Sequence, residues 1–184
     1  MKRMLLISLF VLVPAVALAQ DDTLPEAVRI FHEEVINNNN VAALEQSHAE
    51  EHGFNGNTRS HEGRENVAAW VEMMHAVYDD LQIVDEDVII QDDLVMVRSR
   101  ITGTYTGAQD ELDSLGVPEE SAGTQVDYAR WGIYQIEDGK IAMTWGLEDD
   151  YGRLVQLGAI EDVMDSQSGS TNDSAAGDTS SGGN

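Results

Sequence analysis

The chain has 184 residues, with 34 acids against 10 Lys and Arg and a formal charge of −24. A surface of that sign repels nucleic acid and anionic membranes, which excludes both as partners. There is no cysteine, so the fold has no disulfides and rests on core burial alone.

The N-terminus reads as a processing segment. Lys2 and Arg3 form a positive start, Met4 to Val13 is an apolar run too short to cross a bilayer, and Ala17-Leu18-Ala19 is an A-x-A cleavage site. Residues 1–19 are therefore expected to be a signal peptide, cut near Ala19-Gln20, with the mature protein secreted or periplasmic. No Cys follows to carry a lipid, and no later stretch is apolar enough to insert in a membrane. Cleavage removes two bases and no acid and leaves Lys140 as the single lysine. An acidic, lysine-poor surface also suits high salt, where screening relieves self-repulsion, so a salt-adapted source is a hypothesis alongside plain solubilisation. Residues 165–184 are almost all Ser, Gly, Asp, Thr, Asn and Ala and read as a disordered polar tail. One domain, residues 20–164, lies between.

Within it, Leu24-Pro25-Glu26 opens a first helix, with Val28, Phe31, Val35 and Ile36 at helical spacing and Asn37 to Asn40 as its stop. Val41 to His48 is a short second helix. A polar loop with glycines is expected from Gly53 to Gly63. Arg64 to Tyr78 is a third helix whose apolar face is Val67, Trp70, Val71, Met74 and Tyr78. Strand pattern follows: Leu81, Ile83 and Val88 to Ile90, a turn at Asp92-Asp93, then Leu94 to Tyr105. A loop runs from Gly107 to Gly123. Thr124 to Ile136 and Lys140 to Leu147 form a hairpin about Asp138-Gly139, a dipeptide suited to positive φ. Tyr151 to Leu157 makes a terminal helical turn. Helices first and hairpin-linked strands after predict an α+β fold with an antiparallel sheet, one face covered by helices.

The stretch Tyr134 to Ala159, Y-Q-I-E-D-G-K-I-A-M-T-W-G-L-E-D-D-Y-G-R-L-V-Q-L-G-A, resembles the C-terminal signature of the SnoaL-like polyketide cyclase and ester cyclase family, within the nuclear-transport-factor-2-like superfamily. F-H-E-E-V-I-N-N-N-N in the first helix, G-R-E-N-V-A-A-W (Gly63 to Trp70), Asp80-Leu81 and R-I-T-G-T-Y-T-G (Arg100 to Gly107) resemble the family's other segments in the same order. The resemblance implies a cone: a curved antiparallel sheet wrapped on N-terminal helices around a pocket, with dimerisation through the outer sheet face. It implies a cofactor-free cyclase or isomerase acting on a small polyketide-like or other carbonyl compound. The alternative is a non-catalytic module of the same fold, holding an apolar or aromatic small molecule or a partner domain. The chain departs from the family's pattern. Asn55 stands where a His is frequent after the second helix, Gly146 where a carboxylate often follows the last-strand Trp, and Thr144 where a His often precedes it.

The Asp four residues after Trp145 is kept as Asp149, and the resemblance makes it the acid/base. A carboxylate in an apolar pocket suits proton removal beside a carbonyl, because desolvation raises its pKa. Capping the following helical turn is the other role open to it, and Asp150 can share either. Pocket candidates are Asn55, Trp70, Met74, Arg98, Tyr105, Tyr128, Trp131 and Trp145: Arg98 as a carbonyl-polarising or ion-paired cation, the aromatics as ring platforms or plain core. His48-Ala49-Glu50-Glu51-His52 matches H-x-x-E-H, a remote zinc-hydrolase pattern. It lacks a third ligand and sits where the second helix ends, so no metal is assigned.

Overall fold

The computed structural model describes residues 23–56, 60–108 and 116–161. The signal-peptide segment 1–19 and the tail 165–184 lie outside the described residues. The first helix runs as α1, Glu26–Arg29, and continues as a wider π-helical segment, Ile30–Asn37. Asn38 N–H closes an i→i+5 bond to Glu33 O at 3.1 Å, and Asn39 at φ 52° turns the chain away. A 3₁₀ turn, Val41–Ala43, leads into α2, Leu44–Ser47. The third helix, α3, spans Arg64–Val77 and buries Val67, Val71, Met74 and Val77. That one-sided spacing is what a helix packed on a sheet requires.

Six strands follow the order β2-β1-β6-β5-β4-β3: β1 His48–Gly56, β2 Ser60–Glu62, β3 Tyr78–Gln91, β4 Leu94–Tyr105, β5 Gln125–Glu137 and β6 Lys140–Glu148. The sheet is curved and unclosed and is accompanied by the N-terminal helices, so the α+β cone is observed. Two details depart from expectation. The stretch read as a polar loop after Gly53 is instead the end of β1 and the edge strand β2, which pair through Gly53–Glu62, Phe54–His61 and Asn55–Ser60. And β1 lies parallel to β6, while the other strand pairs are antiparallel. With few apolar residues and a polar outer face, β1 carries too little alternation to be told from a loop, and its ladder partner, β6, is remote in sequence.

The two long hairpins match the reading closely. Asp138 and Gly139 have φ 49° and 74°, the paired positive values of a two-residue hairpin turn, and Asp92 takes φ 54° at the other. Strand alternation sends Val95, Val97, Ser99, Ile101 and Tyr105 of β4 inward, with Val126, Tyr128, Arg130, Gly132 and Tyr134 of β5. These close on Val28, Phe31, Val35 and Ile36 of the first helix and on the buried face of α3 to form one core. The last helix, α4, Asp150–Gln156, packs back on β5, where Gln156 accepts from Asp127 N–H.

Candidate functional site

The inner face of the sheet carries a row of polar side chains where apolar ones would be expected. The strand registers pair Asp85 with Ser99, Ser99 with Arg130, and Arg130 with Glu148, so one rung across β3, β4, β5 and β6 reads Asp-Ser-Arg-Glu. Ser99 is fully buried and Arg130 is 3 % exposed. A guanidinium at that depth must be compensated. Arg130 Nη1 donates to the Tyr134 hydroxyl at 2.7 Å, and its Nε lies 3.7 Å from Glu148 Oε1, an ion pair without a formed hydrogen bond.

Tyr134 reaches Arg130 by folding its ring back over Gly132. A Cβ at residue 132 would stand 2.6 Å from the Tyr134 hydroxyl, so only glycine fits. The same hydroxyl lies 2.8 Å from His32 Nε2, and His32 Nδ1 lies 2.9 Å from both Asp85 oxygens. One assignment of protons satisfies the whole chain: Arg130 donates to Tyr134 oxygen, Tyr134 donates to His32 Nε2, and His32 Nδ1–H donates to Asp85. Ser99 adds a 2.8 Å bond to Asp85. Burial holds His32 below its ordinary range despite the Asp85 carboxylate, so it sits neutral. Burial acts to raise Asp85, but hydrogen bonds from His32 and Ser99 and the charge of Arg130 outweigh it and leave a stabilised carboxylate.

Glu148 differs. Burial pushes its carboxyl up, and Arg130 and Arg153 only partly offset that. About a fifth of its side chain, 22 %, still reaches solvent. Among the described residues it is the carboxyl on the inner face that is both desolvated and loosely held.

A second buried polar group adjoins this row through Phe31, whose ring lies 5.5 Å from His32, 4.6 Å from His48 and 6.2 Å from Tyr134. His48 and His52 sit on β1 with rings 4.7 Å apart, His48 bonded to Ser47 Oγ and His52 to Thr144 Oγ1, each at 2.9 Å. The H-x-x-E-H stretch is thus on a strand, where the i, i+4 spacing also shares a face. Glu51 between them is exposed. Among the described residues no group of three His, Asp or Glu is placed to hold a metal. Burial lowers His52 to about 4 and His48 well below its ordinary range, so both are neutral.

The residues singled out in the sequence are spread over several environments. Asp149 is exposed and is the N-cap of α4, its Oδ1 accepting from Gly152 N–H at 2.9 Å. Its neighbour Glu148 is the carboxyl that faces inward, because strand period places residues 144, 146 and 148 on one side. The carboxylate absent at Gly146 is therefore supplied one rung further along, at Glu148, while the Phe54 ring fills the space over Gly146, 3.2 Å from where a Cβ would be. Tyr128, Tyr105 and Met74 are buried inside, and Trp70 is half-buried on α3. Arg98 lies on the outer face, paired with Glu86 and Asp87. Trp131 and Trp145 are on that outer face too, in adjacent rungs with Leu147 and Ile133. Asn55 is exposed opposite Trp145 and lines an open cleft of about 390 Å³ with Phe54, Ser60, His61, Glu62 and Met143. The residues missed by sequence reasoning are Arg130, Tyr134, Glu148, Asp85 and His32. The signal for two of them was present: Arg130 and Tyr134 share the inner parity of β5 with Tyr128.

Three comparisons bear on this architecture. Solved structures share the fold. TsrD from Streptomyces laurentii is 24 % identical with TM-score 0.63, covering 73 % of this chain and 94 % of its own. A candidate SnoaL-like polyketide cyclase from Jannaschia sp. CCS1 is 21 % identical with TM-score 0.62, covering 73 % and 91 %. AclR from Streptomyces galilaeus, a candidate hydroxylase, is 18 % identical with TM-score 0.65, covering 80 % and 93 %. No curated protein matches the chain. The model of the SnoaL-like polyketide cyclase family matches residues 26–157, from the first turn of α1 to the residue after α4. With the helices, the curved sheet and the last hairpin all inside that match, the chain belongs to the SnoaL-like polyketide cyclase family.

Proposed function

We propose that this protein is a cofactor-free cyclase or isomerase for a small, enolisable carbonyl compound, with Glu148 as the group that moves the proton. Family membership supports a cyclase- or isomerase-type activity. The observation that carries the assignment is the inward Arg130–Glu148 rung: a desolvated carboxyl of raised pKa beside a buried, fixed cation. Ionised Glu148 takes a proton from the carbon beside a carbonyl. The enolate carbon then forms a C–C bond to a second carbonyl carbon in the same molecule, and Glu148 returns the proton to the oxygen that becomes a hydroxyl. A carboxyl whose pKa lies nearer the working pH serves both steps. Tyr134, His32 and Asp85 position Arg130 and keep its charge compensated.

Asp149, the carboxylate favoured by family resemblance, spends its oxygen on the helix cap. The two assignments separate cleanly. Exchange of α-hydrogens into deuterated water, followed by NMR on acetylnaphthalene and on linear diketones, should fall at least a hundredfold in Glu148→Gln and change less than threefold in Asp149→Asn, about the range of removing a general base. Full activity in Glu148→Gln with loss in Asp149→Asn would return the role to Asp149.

A second reading is a non-catalytic ligand-binding module, favoured by Gly146 and Thr144 standing where the family often carries a carboxylate and a His. It predicts tight ligand binding with no exchange in any variant. Two further parts of the proposal concern setting. Residues 1–19 direct export, and the outer sheet face pairs two copies of the chain.

A further inference from the structure

We infer that the end of the cone beneath α4 is a binding site for an anionic oxygen on a small carbonyl compound, held by Tyr78, Tyr128 and Arg153. The inference rests on the reading of Glu148 as the reactive group and names the substrate class it would meet.

Tyr78 and Tyr128 are each 1 % exposed, and neither hydroxyl has a hydrogen-bond partner. If these rings served only as core, phenylalanine would fill the space without stranding a polar oxygen. Arg153 adds a third open donor: its Nη2 is tied to Asp150 at 2.6 Å, but its buried Nε is unpartnered. The three converge. The Arg153 guanidinium carbon lies 5.5 Å from the Tyr128 ring centre, and the same guanidinium lies beside the Tyr78 hydroxyl, acting on it by charge and by hydrogen bonding short of full geometry.

The charges around this point are nearly balanced inside the protein. Arg153 is paired with the exposed Asp150, and Arg130 lies 3.7 Å from Glu148. Burial keeps the Tyr128 hydroxyl well above its ordinary range and raises that of Tyr78, so both stay protonated and able to donate. Two protonated phenolic O–H groups and one cationic N–H, all able to donate, are complementary to an oxygen with several lone pairs and negative charge, such as an enolate or a carboxylate. On a chain of formal charge −24, such an anion would be repelled without this local cation. Tyr128 stands two residues before Arg130 on the same inner face of β5, and Arg130 pairs with Glu148. An oxygen anchored on Tyr128 therefore brings the neighbouring carbon toward Glu148.

The test is calorimetric titration of the full mature chain with three probes at neutral pH: naphthoate as a carboxylate, dimedone as an enolate, and acetylnaphthalene as a neutral ketone. At least one anion should bind about tenfold or more tighter than the ketone, and which one does so identifies the oxygen type. The double variant Tyr78→Phe/Tyr128→Phe should lose about tenfold in affinity for that anion, with ketone binding unchanged, and Arg153→Gln should abolish the preference. The double variant also reports on its own folding. Its Tm should equal or exceed that of the parent, because it deletes two unpartnered hydroxyls. A lower Tm would mean that the hydroxyls are used within the fold, and would overturn the inference. So would equal affinity for all three probes, or a preference that survives all these substitutions. Glu148→Gln keeps the anion preference, so a failure of the proton-transfer assignment is read separately, from isotope exchange.

Discussion

At the residue scale, the interior turns on small choices of side chain. Gly132 is glycine because Tyr134 must lie over it to reach Arg130 and His32. Gly132→Ala should destabilise the fold by about 1–3 kcal/mol, the usual cost of overpacking, in urea unfolding followed by circular dichroism. Tyr134→Phe in the same background should recover part of that loss, since the clash is with the ring end and hydroxyl. Asp149 shows the opposite case, a residue whose environment is local. Asp149→Ala removes an N-cap and should cost about 1 kcal/mol, whereas Asp149→Asn, which still accepts from Gly152, should be nearly neutral. That contrast distinguishes a cap from a reacting carboxylate by stability alone. The acid pair Glu148-Asp149 was legible as two acids at the end of a strand. Which of them turns inward was not, because that depends on where the strand stops and the parity is broken.

At the element scale, β1 is the unexpected part. Its sequence, H-A-E-E-H-G-F-N-G, is short of apolar residues, yet the strand is held on one side by β6 and on the other by β2. Buried His48 and His52 take the places that apolar residues would normally hold. Both are neutral when folded, and this couples stability to pH. The folded-state value for His52 is about 4, against an ordinary 6.5. Between those values the unfolded chain binds a proton that the folded chain does not. The contribution is fully present above pH 6.5 and is lost as the pH falls toward 4. It amounts to about 2 kcal/mol after allowance for partial solvation. Urea unfolding at pH 7 and pH 4 should show a smaller loss in His52→Gln than in the parent. An equal pH slope in the two proteins would mean that His52 is solvated or charged in the fold.

At the scale of the whole molecule, two surfaces stand out. The outer sheet face exposes Ile89, Met96, Trp131 and Leu147, an apolar strip lying across adjacent strands. Such a strip is a candidate for self-association. If two copies pair there, Trp131→Glu together with Leu147→Asp should convert a dimer to a monomer in analytical ultracentrifugation without loss of fold. A parent that sediments as a monomer removes the proposed pairing. The rest of the surface is dominated by acids, and arginines are paired with them at Arg29, Arg98 and Arg100. Self-repulsion of that size should be relieved by salt, so Tm should rise by several degrees between low salt and molar sodium chloride. An unchanged Tm would favour a merely solubilising role for the acids.

The α+β class, the strands β3 to β6 with their two-residue turns, and the helical face of α3 were legible in the amino-acid order. These depend on periodicity and turn chemistry within a short window, and a window contains them whole. That order also carried the family, through five short segments in fixed order. The candidate site emerged from long-range pairing instead. Arg130, Glu148 and His32 are each remote in sequence from Asp85, yet strand register and the first helix bring them into one buried row. Their proximity follows from pairing between strands and from the packing of a helix on a sheet. Neither leaves a trace in local spacing, so the row became visible only once the chain was folded.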